Sequence, residues 1–113
     1  MIFVIDDDAE MAECIARAAK TQTRIFGNAY DAIGALDELP QMIFLDILLD
    51  GVDGFTFLNE LASYSDTEKI PVVIVTSLDL GGKDLDSYGV VGVLNKDTMT
   101  PKDIRGYVEK YAK

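Results

Sequence analysis

Histidine and tryptophan are missing from this chain, cysteine occurs once and proline three times. Without histidine there is no imidazole acid-base catalysis, no histidine metal ligand and no phosphohistidine carried on the chain itself, so any phosphoryl chemistry needs an outside donor. With Cys14 alone, no intrachain disulfide can form and cysteine-rich zinc sites are excluded. That usage suits a reducing cytoplasm, and Cys14 reads as a buried core thiol. Positive charge is also scarce: ten Lys and Arg face twenty Asp and Glu, a formal net charge of -10. Such a field repels phosphate backbones and anionic membrane surfaces, which argues against direct nucleic-acid or membrane binding. No apolar run approaches the roughly 20 residues of a membrane helix, and no basic leader follows Met1, so the expectation is a cytoplasmic protein.

What is present fits a single domain spanning residues 1–113. At 49% hydrophobic and 27% charged residues the chain is ordinary for a globular protein. A chain of this size buries roughly 65% of its unfolded surface without disulfides or structural metal. Short apolar runs occur at IFVI (2–5), TRIF (23–26), MIFL (42–45), VVIV (72–75) and GVL (92–94). Apart from the half-polar second run they lack alternation, as parallel strands covered on both faces do.

Helical periodicity fills the intervals. Met11, Ile15 and Ala18 stripe a helix over 9–20 that Asp8 is placed to cap. Ile33 and Leu36 mark a helix in 30–39 closed by Pro40, and Leu58, Leu61 and Ala62 mark one in 55–64. Thr100 as N-cap, Pro101 at the first helical position and Asp103 as capping-box partner open the last helix, with Ile104, Tyr107, Val108 and Tyr111 on one face. The glycine-rich segment 78–89 carries weak periodicity, so the helix before the fifth strand is short or frayed. Strands alternating with helices give an α/β fold with a parallel sheet and right-handed crossovers.

In such sheets ligands bind beyond the carboxyl ends of the strands. Those ends carry Asp6 and Asp7 on the first strand, Asp46 on the third, Thr76 and Ser77 on the fourth, and Asn95 and Lys96 on the fifth; Gly27 and Asn28 after the second read as a turn. If the first, third, fourth and fifth strands are neighbours, three carboxylates, a hydroxyl and an ammonium meet at one edge. Oxygen-only ligands favour Mg²⁺ over zinc, and a carboxylate beside Mg²⁺ is a candidate nucleophile toward a phosphoryl group. Asp46 is that candidate. Asp8 reads as a cap, Asp50, Gly51, Asp53 and Gly54 as turn and cap residues, and Tyr107 and Tyr111 as packing residues.

VIDDD, FLDILLDGVDGF, PVVIVTS and GVVGVLNK, in that order and spread over nearly the whole chain, resemble the receiver domains of two-component response regulators. The resemblance implies a doubly wound, flavodoxin-like sheet of order 2-1-3-4-5. It makes Asp46 the phospho-acceptor, Asp6 and Asp7 the acidic pocket, Leu48 a backbone-carbonyl ligand to Mg²⁺, Thr76 the hydroxyl that follows the phosphoryl oxygen, and Lys96 its salt-bridge partner. It implies a sensor histidine kinase or phosphotransfer protein as donor, a downstream effector or fused output domain as target, and leaves a homodimer open. No turnover enzyme follows beyond self-phosphorylation and dephosphorylation.

The chain departs from the family pattern at four positions. Asp97 stands where receivers usually have a proline after a cis peptide, so a trans bond and an altered loop are expected. Val93 replaces the switch aromatic. Leu48 and Leu78, apolar at positions that control water access, point to a long-lived aspartyl phosphate. Other readings are a constitutive binding module of the same fold, a metal-dependent phosphohydrolase that would need an acid where Leu48 stands, and a flavin protein lacking the expected phosphate loop after the first strand.

Overall fold

The computed structural model describes residues 1–47, 54–77 and 89–112. Five parallel strands, β1 (Ile2–Ile5), β2 (Thr23–Phe26), β3 (Ile43–Asp46), β4 (Val72–Thr76) and β5 (Val90–Asn95), form one sheet in the order β2-β1-β3-β4-β5. The helices among the described residues are α1 (Ala9–Ala19), α2 (Ala29–Gly34), α3 (Gly54–Ala62) and α4 (Pro101–Tyr111). This is the expected order.

Strand alternation distributes the apolar runs to two cores. Phe3, Ile5, Ile43, Leu45, Val72 and Ile74 pack with Ala32 of α2 and with Phe57, Leu58 and Leu61 of α3. Ile2, Val4, Phe44, Val73 and Val75 face the other way, onto Ala12 and Ile15 of α1 and onto Ile104 and Val108 of α4. Every residue of β1, β3 and β4 is buried, which is why those runs are continuously apolar.

The strand at 92–94 is corrected in length and surroundings. β5 runs from Val90 to Asn95 at the sheet edge, with Val91 and Val93 exposed, so it is covered on one face only. The helix expected over 30–39 is split into α2 and a 3₁₀ turn at Leu36–Glu38, with Leu39 in the left-handed region at φ 50°. Ala62 lies on the exposed side of α3, where Phe57 takes the inward position instead.

Cys14 is also corrected: it is exposed. The buried stripe of α1 is Ala12, Ile15, Ala18 and Ala19, and Cys14 stands one helical step, about 100°, from Ile15. Capping follows the expected chemistry, with the Asp8 side chain accepting from Glu10 N–H and Met11 N–H. Thr100 and Asp103 form a reciprocal capping box at α4. The segment 78–88 lies outside the described residues.

A candidate phosphoryl-accepting site at the strand ends

The strand order sets β1, β3, β4 and β5 side by side and brings their carboxyl-terminal residues to one edge. Asp46 closes β3 in register with Val75, and Thr76 closes β4 in register with Asn95. Asp6 and Asp46 are 2% and 4% exposed, so two carboxylates are nearly removed from water, and Thr76 beside them is equally buried. Asp7 is exposed.

One oxygen from each of Asp6, Asp7 and Asp46 lies within 4.8 Å of the others. Lys96 supplies the positive charge: its Nζ donates to Asp46 Oδ2 at 3.0 Å and stands 3.1 Å from Asp6 Oδ2. The second contact is at ion-pair distance without hydrogen-bonding geometry, which leaves Asp6 Oδ2 a buried oxygen with no hydrogen-bond partner. Asp6 Oδ1 accepts from Asp8 N–H at 2.9 Å.

Burial raises the Asp6 carboxyl above its ordinary range; the Asp8 N–H and the Lys96 ammonium oppose that rise without cancelling it, and the Asp46 charge adds to it. Lys96 is also raised. Burial acts to lower it, but the hydrogen bond to Asp46, the contact with Asp6 and the two negative charges together prevail. Among the described residues one ammonium, that of Lys96, faces these three carboxyl groups. The all-oxygen donor set, including a buried Asp6 Oδ2 that accepts no hydrogen bond, fits a hard divalent cation.

All five side chains singled out by the sequence, Asp6, Asp7, Asp46, Thr76 and Lys96, lie at this edge; Leu48 and Leu78 fall outside the described residues. The sequence of the response regulator receiver domain family matches residues 2–109. The chain belongs to that family. Within it, the response regulator PleD of Caulobacter vibrioides is 37% identical over 83 residues, covering 69% of this chain and 18% of PleD. The chain thus spans about a fifth of the length of that relative.

The receiver fold is shared with solved structures at lower identity. The receiver domain of NtrX from Brucella abortus superposes with a TM-score of 0.77 at 23% identity, covering 97% of this chain and 96% of that one. The Mn²⁺-bound form of response regulator Rcp1 gives 0.78 at 22% identity, covering 96% and 91%.

Two features of this receiver site were not read from the sequence. Gly54 opens α3 against Ile47: its N–H donates to the Ile47 carbonyl at 3.3 Å, and a Cβ there would stand 2.7 Å from Ile47 Cα. Asn95, taken only as a strand end, accepts from Asp97 N–H through Oδ1 at 2.7 Å. An Asn two residues before a residue that follows a strand is an Asx-turn signal, and it was available. The Lys96–Asp97 peptide is trans, as expected.

Proposed function

We propose that this receiver domain accepts a phosphoryl group on Asp46 from a partner phosphohistidine, requires Mg²⁺ to do so, and passes the change on to an effector or fused output domain. The supporting observation is the Lys96 ammonium shared between buried Asp6 and Asp46, with a third carboxylate in reach. A structural ion pair needs one carboxylate; a phosphoryl site needs an acceptor, a cation pocket and a mobile positive charge.

In this reading a carboxylate oxygen of Asp46 attacks phosphorus, the P–O bond forms as the P–N bond to the donor imidazole breaks, and the imidazole takes its proton from solvent. Asp6, Asp7, Asp46 and the backbone carbonyl of Leu48 would hold Mg²⁺. When bound, the ion supplies positive charge to the transferring oxygens. Lys96 follows the charge, exchanging the Asp46 carboxylate for a phosphoryl oxygen, and Thr76 donates its hydroxyl to another. The added charge of about -1.5 to -2 biases the neighbouring loops between two arrangements. The chain turns over no other substrate and acts in the cytoplasm.

Intact mass after incubation with acetyl phosphate and Mg²⁺ tests this. One added phosphoryl group is expected in the wild type and none in Asp46→Asn or in EDTA. An unmodified wild type would leave the binding-module reading in its place.

A further inference from the structure

We infer that Asn95 is a positioning residue that holds Lys96 in place between Asp6 and Asp46. Lys96 follows an edge strand, and its ammonium must cross β4 to reach carboxylates on β3 and β1. With strands about 4.8 Å apart, a small rotation of the Lys96 backbone carries Nζ away from both oxygens.

The peptide on each side of Lys96 is fixed by a different bond. Lys96 N–H donates to the Thr76 carbonyl at 3.0 Å, the last rung of the β4–β5 ladder. The peptide after Lys96 lies past that ladder, and its N–H, on Asp97, donates to Asn95 Oδ1 at 2.7 Å. That bond sets the second backbone torsion of Lys96. The Asn95 carbonyl closes the same turn by accepting from Thr98 N–H at 3.2 Å and Met99 N–H at 2.9 Å. Any residue can supply the carbonyl; only a short side chain with an acceptor oxygen supplies the Oδ1 bond. Asn95 is exposed and belongs to neither hydrophobic core, so its side chain acts on the turn. Lys96, by contrast, is only 18% exposed along its side chain, with Nζ 3.0 Å from Asp46 Oδ2 and 3.1 Å from Asp6 Oδ2.

The kinetic consequence rests on the phospho-acceptor reading; the positioning itself does not. The test compares Asn95→Ala and Asn95→Gln, which lose the short acceptor, with Asn95→Asp, which keeps it, each with and without Lys96→Met. In EDTA, Asn95→Ala is expected to raise the unfolding equilibrium constant about tenfold alone and about threefold beside Lys96→Met, because the two residues act as one unit. With acetyl phosphate and Mg²⁺, Ala and Gln should slow phosphorylation about tenfold, Asp should stay within about twofold, and none should slow the Lys96→Met protein further. Equal stability effects in both backgrounds, or an Asp variant as slow as Ala, would overturn the inference. A wild type that takes up no phosphoryl group while the stability cycle shows the expected coupling would overturn the phospho-acceptor reading alone.

Discussion

Tyr107 fills the space that a side chain at Gly92 would occupy: a Cβ on Gly92 would stand 2.1 Å from Tyr107 Oη. The last helix thereby lays an aromatic ring against the edge strand that delivers Lys96. Tyr107 also stacks on Tyr111, with centroids 6.4 Å apart and planes 17° from parallel. Gly92→Ala should push the ring outward, break the stack and cost about 1 kcal/mol. With no tryptophan in the chain, near-ultraviolet circular dichroism reports the tyrosines directly and should weaken.

Removing the shared ammonium should be costlier. Lys96→Met removes the ammonium that faces buried Asp6 and Asp46, a change expected to cost about 3 kcal/mol in metal-free urea denaturation. Millimolar Mg²⁺ should recover part of that loss in the variant. A variant as stable as wild type in EDTA would show that the pair is energetically idle.

The pH dependence in EDTA has a definite sign. Because Asp6 is raised from 3.8, the folded state binds its proton more tightly than the unfolded chain. Its contribution is therefore present in acid and lost as pH rises through the folded value. Asp6→Asn should flatten that segment and lift the neutral melting temperature by about 3 °C, while weakening Mg²⁺ binding. Lys96 is raised from 10.5, so its stabilisation persists through neutral pH and is lost only as pH climbs past that value.

Gly54→Ala tests the contact between the start of α3 and Ile47. Its Cβ would meet Ile47 Cα and the Ile47 side-chain tip, both at 2.7 Å, and a backbone atom cannot swing aside. A loss of about 2 kcal/mol is expected, with slower phosphorylation because Ile47 adjoins Asp46. Thr100→Ala, at the far end of the capping box, should cost about 1 kcal/mol and leave phosphorylation unchanged.

Legibility in the sequence followed burial. β1, β3 and β4 are covered on both faces, so their runs carry no polar interruption and announce themselves; β5 lies at an edge, and its exposed Val91 and Val93 made the run look more enclosed than it is. The site residues were readable because parallel topology converts position at a strand end into proximity, whatever the separation along the chain. Lys96 and Asp46 are 50 residues apart. Cys14 misled because composition gives the habit of a residue type, whereas helical phase decides which way one residue faces. The Gly54 contact was hidden because Ile47 and Gly54 are seven residues apart and no local pattern encodes their approach, whereas the Asx turn at Asn95 is a contact over two residues and lay within reach of the sequence.

Asp6, Asp7 and Asp8 divide three tasks among three adjacent residues: Asp6 faces Lys96, Asp7 stays open to water, and Asp8 both donates its N–H to Asp6 and caps α1. The tripeptide therefore couples pocket and helix directly, because the carboxylate facing the pocket's charge accepts the N–H of the residue that anchors the first helical turn. An insertion of a single residue here would uncouple helix from pocket even if both survived intact, so chain length at this junction is as much a part of the device as the acids themselves.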